Sequence, residues 1–201
     1  KLIVIRQSTE PQKVNINDKE KIITFVGKLN KAKGYDVFGS AIIEILNKFK
    51  DWKAIVIGDE EREKITFNHE RLEIKGFKKH KDVINILKKT NIAVVCSRWQ
   101  EPFGRSSLEA ASRGCAVIVS DRGGLKETIT DGIIIKDLNP KNISKNIERL
   151  ILNKVLLKKY QKQSVQNFYL TNKYAASKID NYRSNLQKNN NVLNKSLKIL
   201  H

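Results

Sequence analysis

A doubly wound α/β domain built on one parallel sheet, followed by a helical C-terminal tail, is the architecture to which these 201 residues point. Short apolar runs rich in β-branched residues alternate with stretches of helical periodicity, the pattern of a parallel sheet covered on both faces. The length admits one ordinary core, and two complete catalytic domains would be crowded in it. Beyond residue 139 the strand signal is lost and only helical spacing remains.

Strands are expected at 22–26, 54–57, 72–76, 92–97, 116–120 and 133–135. Between the first two, Phe38, Ile42, Ile45 and Phe49 recur at i, i+4, i+7 and i+11, which predicts a helix. Val83, Ile86 and Leu87 mark a shorter helix ahead of the fourth strand. Asn139 followed by Pro140 is a helix start, a capping side chain with proline at the first helical position. The helix it opens is expected to bury Ile143, Ile147, Leu150 and Ile151. Two more helices follow, one over 155–169 and one presenting Ala175, Ile179, Tyr182 and Leu186. The Gln-Lys-Asn-Asn-Asn run after Leu186 signals a frayed end. Residues 1–21 therefore read as an interdomain connector, 22–152 as the sheet domain and 153–201 as helices and basic tail. No internal repeat is found.

The sequence contains no Met and starts at Lys1, so it reads as part of a longer chain. No stretch approaches the roughly 20 apolar residues that span a bilayer. Cys96 and Cys115 lie in apolar runs without metal or redox spacing, which fits buried, reduced thiols and a cytoplasmic setting. The net charge of +18 raises the question of nucleic acid. Of the 39 basic residues 30 are Lys, and Asn and Ile are abundant too, as A/T-rich coding produces without selection for binding. The charge is also uneven, with 13 basic residues in 141–201 against only Glu148 and Asp180. Such an end suits phosphates or an anionic membrane surface at the inner face of the membrane; a solvated Lys-rich surface is the alternative. A nucleic-acid-binding module would need aromatic residues interleaved with the charges, or a known motif, and neither occurs. Tyr160, Phe168, Tyr169, Tyr174 and Tyr182 lie mostly at helical core spacing.

In an open α/β sheet ligands bind beyond the C-terminal ends of the strands, and three segments sit there. The first runs from Phe25 through Gly27, Lys28 and Lys33 to Gly34. Its glycines let the backbone turn, and its two lysines can converge on an anion. It is neither a Walker A loop nor Gly-x-Gly-x-x-Gly, which argues against a P-loop ATPase and a nicotinamide dehydrogenase. The second is Glu101-Pro102-Phe103-Gly104-Arg105-Ser106-Ser107-Leu108-Glu109. Pro102 and Gly104 force a loop, and a helix begins near Arg105 whose unpaired N–H groups form an anion site. Glu109, a turn in, and Glu101, across the loop, would repel an anion unless each accepts hydrogen bonds from neutral groups. Sugar hydroxyls are the obvious donors. The third segment, Asp121-Arg122-Gly123-Gly124-Leu125-Lys126-Glu127, permits close backbone approach at a second helix start, or is simply a tight turn.

Together, in this order and spacing, the three segments resemble the C-terminal domain of the group 1 (family 4) glycosyltransferases, retaining enzymes of the GT-B fold whose halves are Rossmann-like. That family's pattern reads Phe-Val-Gly-Arg-Leu…Lys-Gly, then Glu-Pro-Phe-Gly with a second Glu eight residues after the first, then Gly-Gly…Glu. The match covers residues 22–152. The resemblance implies a nucleoside diphosphate sugar donor, no cofactor and no metal. It implies that Lys28 and Lys33 hold the diphosphate, and that Gly27 is among the donor-binding residues. Glu101 and the backbone of Phe103 and Gly104 would meet the transferred sugar. Backbone N–H groups of Arg105 and Ser106 would meet the diphosphate, Glu109 the ribose diol, and the turn at Phe77 and Lys78 the base. On this resemblance Glu101, Lys28 and Lys33 are the catalytic candidates, and Glu101 acts by positioning and charge stabilisation. The acceptor, a glycan or lipid-linked molecule, would be bound by an N-terminal domain absent from this sequence, so the chain alone is expected not to transfer. Glycan or cell-envelope polysaccharide synthesis is the expected setting.

Three departures stand out. Lys28 replaces the commoner Arg, Arg105 replaces a usually aliphatic residue, and the connection from Glu127 to Gly132 is short. A sugar-nucleotide epimerase of the same fold is the alternative, against which the Glu-Pro-Phe-Gly…Glu block speaks. His80 reads as a surface residue near the base pocket.

Overall fold

A computed structural model describes residues 3–198, with side chains described through residue 187. It divides into two compact units, Pro11–Phe168 and the pairing of Lys1–Glu10 with Tyr169–His201. The larger unit runs β1 (Glu20–Val26), α1 (Tyr35–Lys48), β2 (Lys53–Ile57), β3 (Leu72–Ile74), α2 (His80–Lys89), β4 (Thr90–Val95), α3 (Arg105–Ser112), β5 (Ala116–Ser120), β6 (Gly132–Ile135), α4 (Pro140–Leu152) and α5 (Lys154–Gln166). Short 3₁₀ turns at Ile16–Asp18 and Gly123–Glu127 complete it.

All six strands are parallel, in the order β3-β2-β1-β4-β5-β6. Strands alternate their side chains between two cores. Ile23, Phe25, Val56, Val94 and Ile118 face α1 and α4, while Ile22, Ile57, Ala93, Val117 and Val119 face α2 and α3. The chain moves outward from β1 in one direction and from β4 in the other. The loops leaving these two central strands therefore diverge and open a crevice, the place where such sheets bind ligands.

The six expected strands and the helices between them are present, with shifted ends. β4 starts at Thr90, directly after α2, and has ended before Cys96 turns away. β3 is cut to three residues, and Gly76 beyond it takes φ +62°. Phe49 is the C-cap of α1 and not a member of it. Asn139 caps α4 as expected, its side chain accepting the Asn142 N–H at 2.8 Å, and Ile143, Ile147, Leu150 and Ile151 are buried.

The compact unit is wider than the 22–152 span read from the sequence. At its start the Lys19 ammonium reaches the carbonyls of Leu87, Lys88 and Thr90 at 3.2, 3.1 and 2.8 Å, closing the C-terminal end of α2. At its end α5 packs on β5, α3 and α4, burying Leu157, Gln161 and Ser164. Gln161 donates to Asn91 at the base of β4.

In the smaller unit, α6 (Asn172–Lys198) continues through the Asn-rich run expected to fray, a stretch with no Gly or Pro to stop it. Thr9 N–H donates to the Leu170 carbonyl at 3.1 Å, and the rings of Tyr169 and Tyr174 meet edge to face at 5.2 Å. Ile179 and Leu186, expected on an apolar stripe, are exposed.

Candidate functional site

The loop after β1 is shaped by bonds to the loops beside it. Gly27 N–H donates to the Ile57 carbonyl and Leu29 N–H to that of Asp59. Gly34, at φ +75°, starts α1, and a Cβ there would lie 1.9 Å from the Cys96 carbonyl oxygen. Only glycine allows this approach of the loop to the end of β4. The Ala32 carbonyl accepts from Arg98 N–H, Trp99 N–H and the Ser97 hydroxyl. Arg98 adds a two-pronged bond to Asp36 at 2.5 and 2.7 Å and a third to the Lys31 carbonyl at 2.7 Å. Burial opposes the charge on Asp36, but the Arg98 bonds outweigh it and hold that carboxyl below its usual range.

This stapling of the two crevice loops brings Lys33 to Glu101. The ammonium donates to Glu101 Oε1 at 2.5 Å, and the Glu101 side chain is only 11% exposed. Lys28 lies nearer the start of the loop, more exposed, with its ammonium 4.0 Å from Glu60 Oε2. Glu60 also accepts from Arg62 and from the Asn30 amide, and these bonds, the Arg62 guanidinium foremost, hold its carboxyl low.

The loop after β4 is held by the third segment. Gly124 N–H donates to the Glu101 carbonyl at 2.7 Å and Gly123 N–H to the Gln100 side chain at 2.6 Å. A Cβ on Gly123 would lie 2.2 Å from the Glu101 carbonyl oxygen, and one on Gly124 2.6 Å from that of Pro102. The glycine pair therefore acts as the seat of the Glu101 loop. The helix expected to follow it is a 3₁₀ turn of five residues.

Phe103 is buried, and Gly104, at φ +106°, is the N-cap of α3. The first backbone bond of α3 runs from Leu108 N–H to the Gly104 carbonyl. The N–H groups of Arg105, Ser106 and Ser107 thus precede the ladder, at the positive end of the helix dipole. Ser107 anchors this end, its hydroxyl on the Gly104 carbonyl and the Thr128 hydroxyl.

One turn along, Glu109 is buried to 5% exposure. Its Oε1 accepts from Arg105 Nε at 2.9 Å and lies 2.9 Å from His80 Nε2. His80 opens α2, which packs on α3.

On the other side of the β1 loop is a cleft of about 280 Å³, walled by Gly27, Lys28, Phe77 and Lys78 over Ile57 and Val83. Phe77 is 75% exposed there, an aromatic face open to a planar ligand. Among the described residues no three His, Cys, Asp or Glu side chains gather as metal ligands would. Both cysteines are buried and free; burial pushes the Cys96 thiol up to about 12 and raises that of Cys115.

The predicted site residues fall into three adjoining groups at the C-terminal edge of the sheet. Lys33 pairs with Glu101; Phe103, Gly104, Arg105, Ser106 and Glu109 form the head of α3; Gly27, Lys28, Phe77 and Lys78 wall the cleft. Lys28 and Lys33 do not meet at one bare cationic point, since each faces a carboxylate. Three participants escape a reading of the sequence: Arg98, Glu60 and the contact of His80 with Glu109. Only for His80 was there a signal, its place directly after the Phe77–Lys78 turn.

Residues 6–167 match the family described as glycosyl transferases, group 1. Spore coat protein SA of Bacillus subtilis (strain 168) is 28% identical over 193 residues, which cover 83% of this chain and 49% of that protein. The chain spans about half the length of the first curated relatives it matches. Among solved structures, a variant of S. aureus TarM in complex with Fondaparinux, alpha-GlcNAc-glycerol and UDP aligns with a TM-score of 0.73. Its identity is 19%, over 89% of this chain and 38% of that one. HepE of Anabaena in complex with UDP-glucose aligns with a TM-score of 0.64 at 18% identity, over 81% of this chain and 49% of that one. At such identities the structural likeness speaks for the fold alone.

Proposed function

This chain belongs to the group 1 glycosyltransferases, and on that premise we propose that it is the donor-binding half of a retaining enzyme. The donor in this reading is a nucleoside diphosphate sugar. The observation that carries it is the convergence, at one sheet edge, of the Lys33–Glu101 pair, the unladdered head of α3 and the buried Glu109. A diphosphate calls for cations and N–H groups, and a ribose and a hexose call for carboxylates that accept from hydroxyls.

The diphosphate takes Lys28, Lys33 and the N–H groups of Arg105 and Ser106. Glu101 and the backbone of Phe103 and Gly104 meet the transferred sugar, and Glu109 takes the ribose diol. The base lies in the cleft against Phe77 and Lys78, with Gly27 at its rim. In transfer the bond from the anomeric carbon to the diphosphate oxygen breaks, that oxygen keeps the electron pair, and a new bond forms to an acceptor hydroxyl oxygen on the same face, whose proton passes to the departing diphosphate. The lysines and the helix dipole face the charge that develops on the leaving group, a preorganised stabilisation that uses no metal and no cofactor. Glu101 positions the sugar and stabilises positive charge near the anomeric carbon. The UDP and UDP-glucose named for TarM and HepE support a uridine diphosphate sugar as the first donor to test.

The acceptor, a glycan or a lipid-linked one, is held by an opposing domain, and glycan or cell-envelope polysaccharide assembly at the cytoplasmic face is the proposed setting. Transfer needs the reacting atoms within about 3–3.5 Å, which a donor site alone does not arrange. These 201 residues are therefore expected to bind donor without transferring its sugar.

Calorimetry with UDP and UDP-glucose, with and without a chelator, tests the reading. The expected result is binding of both, unchanged by the chelator. Failure to bind any nucleoside diphosphate across a panel of bases overturns it, and absolute metal dependence overturns the metal-free stabilisation.

A further inference from the structure

We propose that His80 is a positioning residue for Glu109 and thereby helps this protein distinguish a ribonucleotide from its 2′-deoxy counterpart. The proposal rests on the reading that Glu109 receives the ribose diol. Its own basis is how the carboxylate is held. His80 Nε2 and Arg105 Nε both lie 2.9 Å from the same oxygen, Oε1. A carboxylate offers about two acceptor sites on each oxygen, so Oε1 is committed and Oε2 is the oxygen left for a ligand.

The two groups that hold Oε1 come from different helices. Arg105 is in the first turn of α3, four residues before Glu109 on the same helix. His80 comes from α2, at the end of the turn that carries Phe77 and Lys78. A single cation from its own helix leaves a Glu side chain free to swing about that contact, and a second group on another element removes the freedom. Burial makes this matter, because a carboxylate at 5% exposure that loses a partner is both less well solvated and less well aimed. His80 itself is 60% exposed at its side chain, which meets Glu109. Its removal therefore opens no cavity in the core.

The experiment measures UDP and 2′-deoxy-UDP affinities by calorimetry for wild type, His80→Ala, His80→Gln and Glu109→Ala, with melting temperatures as a check on folding. Wild type is expected to prefer UDP. His80→Ala should lose about fivefold in UDP affinity, the equivalent of one hydrogen bond, and distinctly less in 2′-deoxy-UDP affinity, since that ligand keeps only the 3′-hydroxyl of the diol. His80→Gln, which can still donate, should recover part of the preference. Equal losses for both ligands in His80→Ala, or no loss for either, overturn the proposal. Glu109→Ala separates it from the reading beneath it. If that variant abolishes the preference while His80→Ala does not alter it, Glu109 keeps its role and His80 loses its own. If Glu109→Ala leaves the preference intact, or wild type shows none, the ribose assignment fails and the proposal falls with it.

Discussion

Lys33 meets Glu101 at 2.5 Å, so a diphosphate must compete with a carboxylate for that ammonium. The two residues should therefore behave oppositely toward a nucleotide without a sugar. Lys33→Ala removes a charge-assisted bond of about 1.5–3 kcal/mol and should weaken UDP and UDP-glucose by roughly ten- to a hundredfold. Glu101→Ala frees Lys33, so UDP should bind as well as before or better while UDP-glucose binds more weakly. Calorimetry on the two variants checks both signs, and parallel losses of UDP and UDP-glucose in Glu101→Ala would sink the division of roles. Much at this scale was legible, because Lys28, Lys33, Glu101 and Glu109 sit in short segments whose glycines and proline announce loops at strand ends. Their surroundings were not. Asp36 and Arg98 are 62 residues apart, Asn30 and Glu60 30 apart, and His80 and Glu109 29 apart. Nothing local in the sequence says that such residues touch; only the order in which the strands assemble does.

At the scale of elements, the strands and main helices were legible because burial writes a period of two or 3.6 into the apolar residues. The pattern blurred where an element does not bury one clean face. α5 hides polar Gln161 and Ser164 beside Leu157 and so read as tail, although it packs on β5. The turn after β5 read as a helix start or a tight turn, and its function is carried by what it touches. Gly123, at φ +53°, is seated against Glu101, where a Cβ would intrude to 2.2 Å of a backbone oxygen. Backbone cannot yield as a side-chain tip can, so Gly123→Ala has to displace the Glu101 loop. It should cost about 1–3 kcal/mol of stability, combining an unfavourable φ with the clash. A fall in melting temperature together with weaker UDP-glucose than UDP binding is expected. If the variant matches wild type in both, the glycine pair is a turn and not the seat of the site.

Across the whole molecule, charge was the property the sequence made plainest and the one whose purpose it left most open. The net positive charge concentrates from residue 141 onward, where 13 basic residues meet only two carboxylates, and the structure adds where apolar groups stand among them. At the junction of α4 and α5, Leu152 is 66% and Val155 82% exposed, with Lys154 and Lys158 exposed beside them. From Arg149 through Lys162 there are five basic side chains and no carboxylate. No described helix is long and apolar enough to cross a membrane. Such a junction combines the two attractions a peripheral protein uses, apolar side chains for the interface and lysines for anionic headgroups at about 1 kcal/mol each. The neighbouring charges are screened beyond roughly 10 Å at 0.1 M salt, so the lysine contribution should fade as salt rises while that of Leu152 and Val155 persists. Sedimentation with phosphatidylglycerol and phosphatidylcholine vesicles, at low and high salt, separates the contributions. The expected outcome is binding to the anionic vesicles at low salt, reduced by salt and reduced again when Leu152 and Val155 are both changed to Ser. Equal binding to both lipids, or none to either, would mean that the lysines serve only to keep the surface solvated.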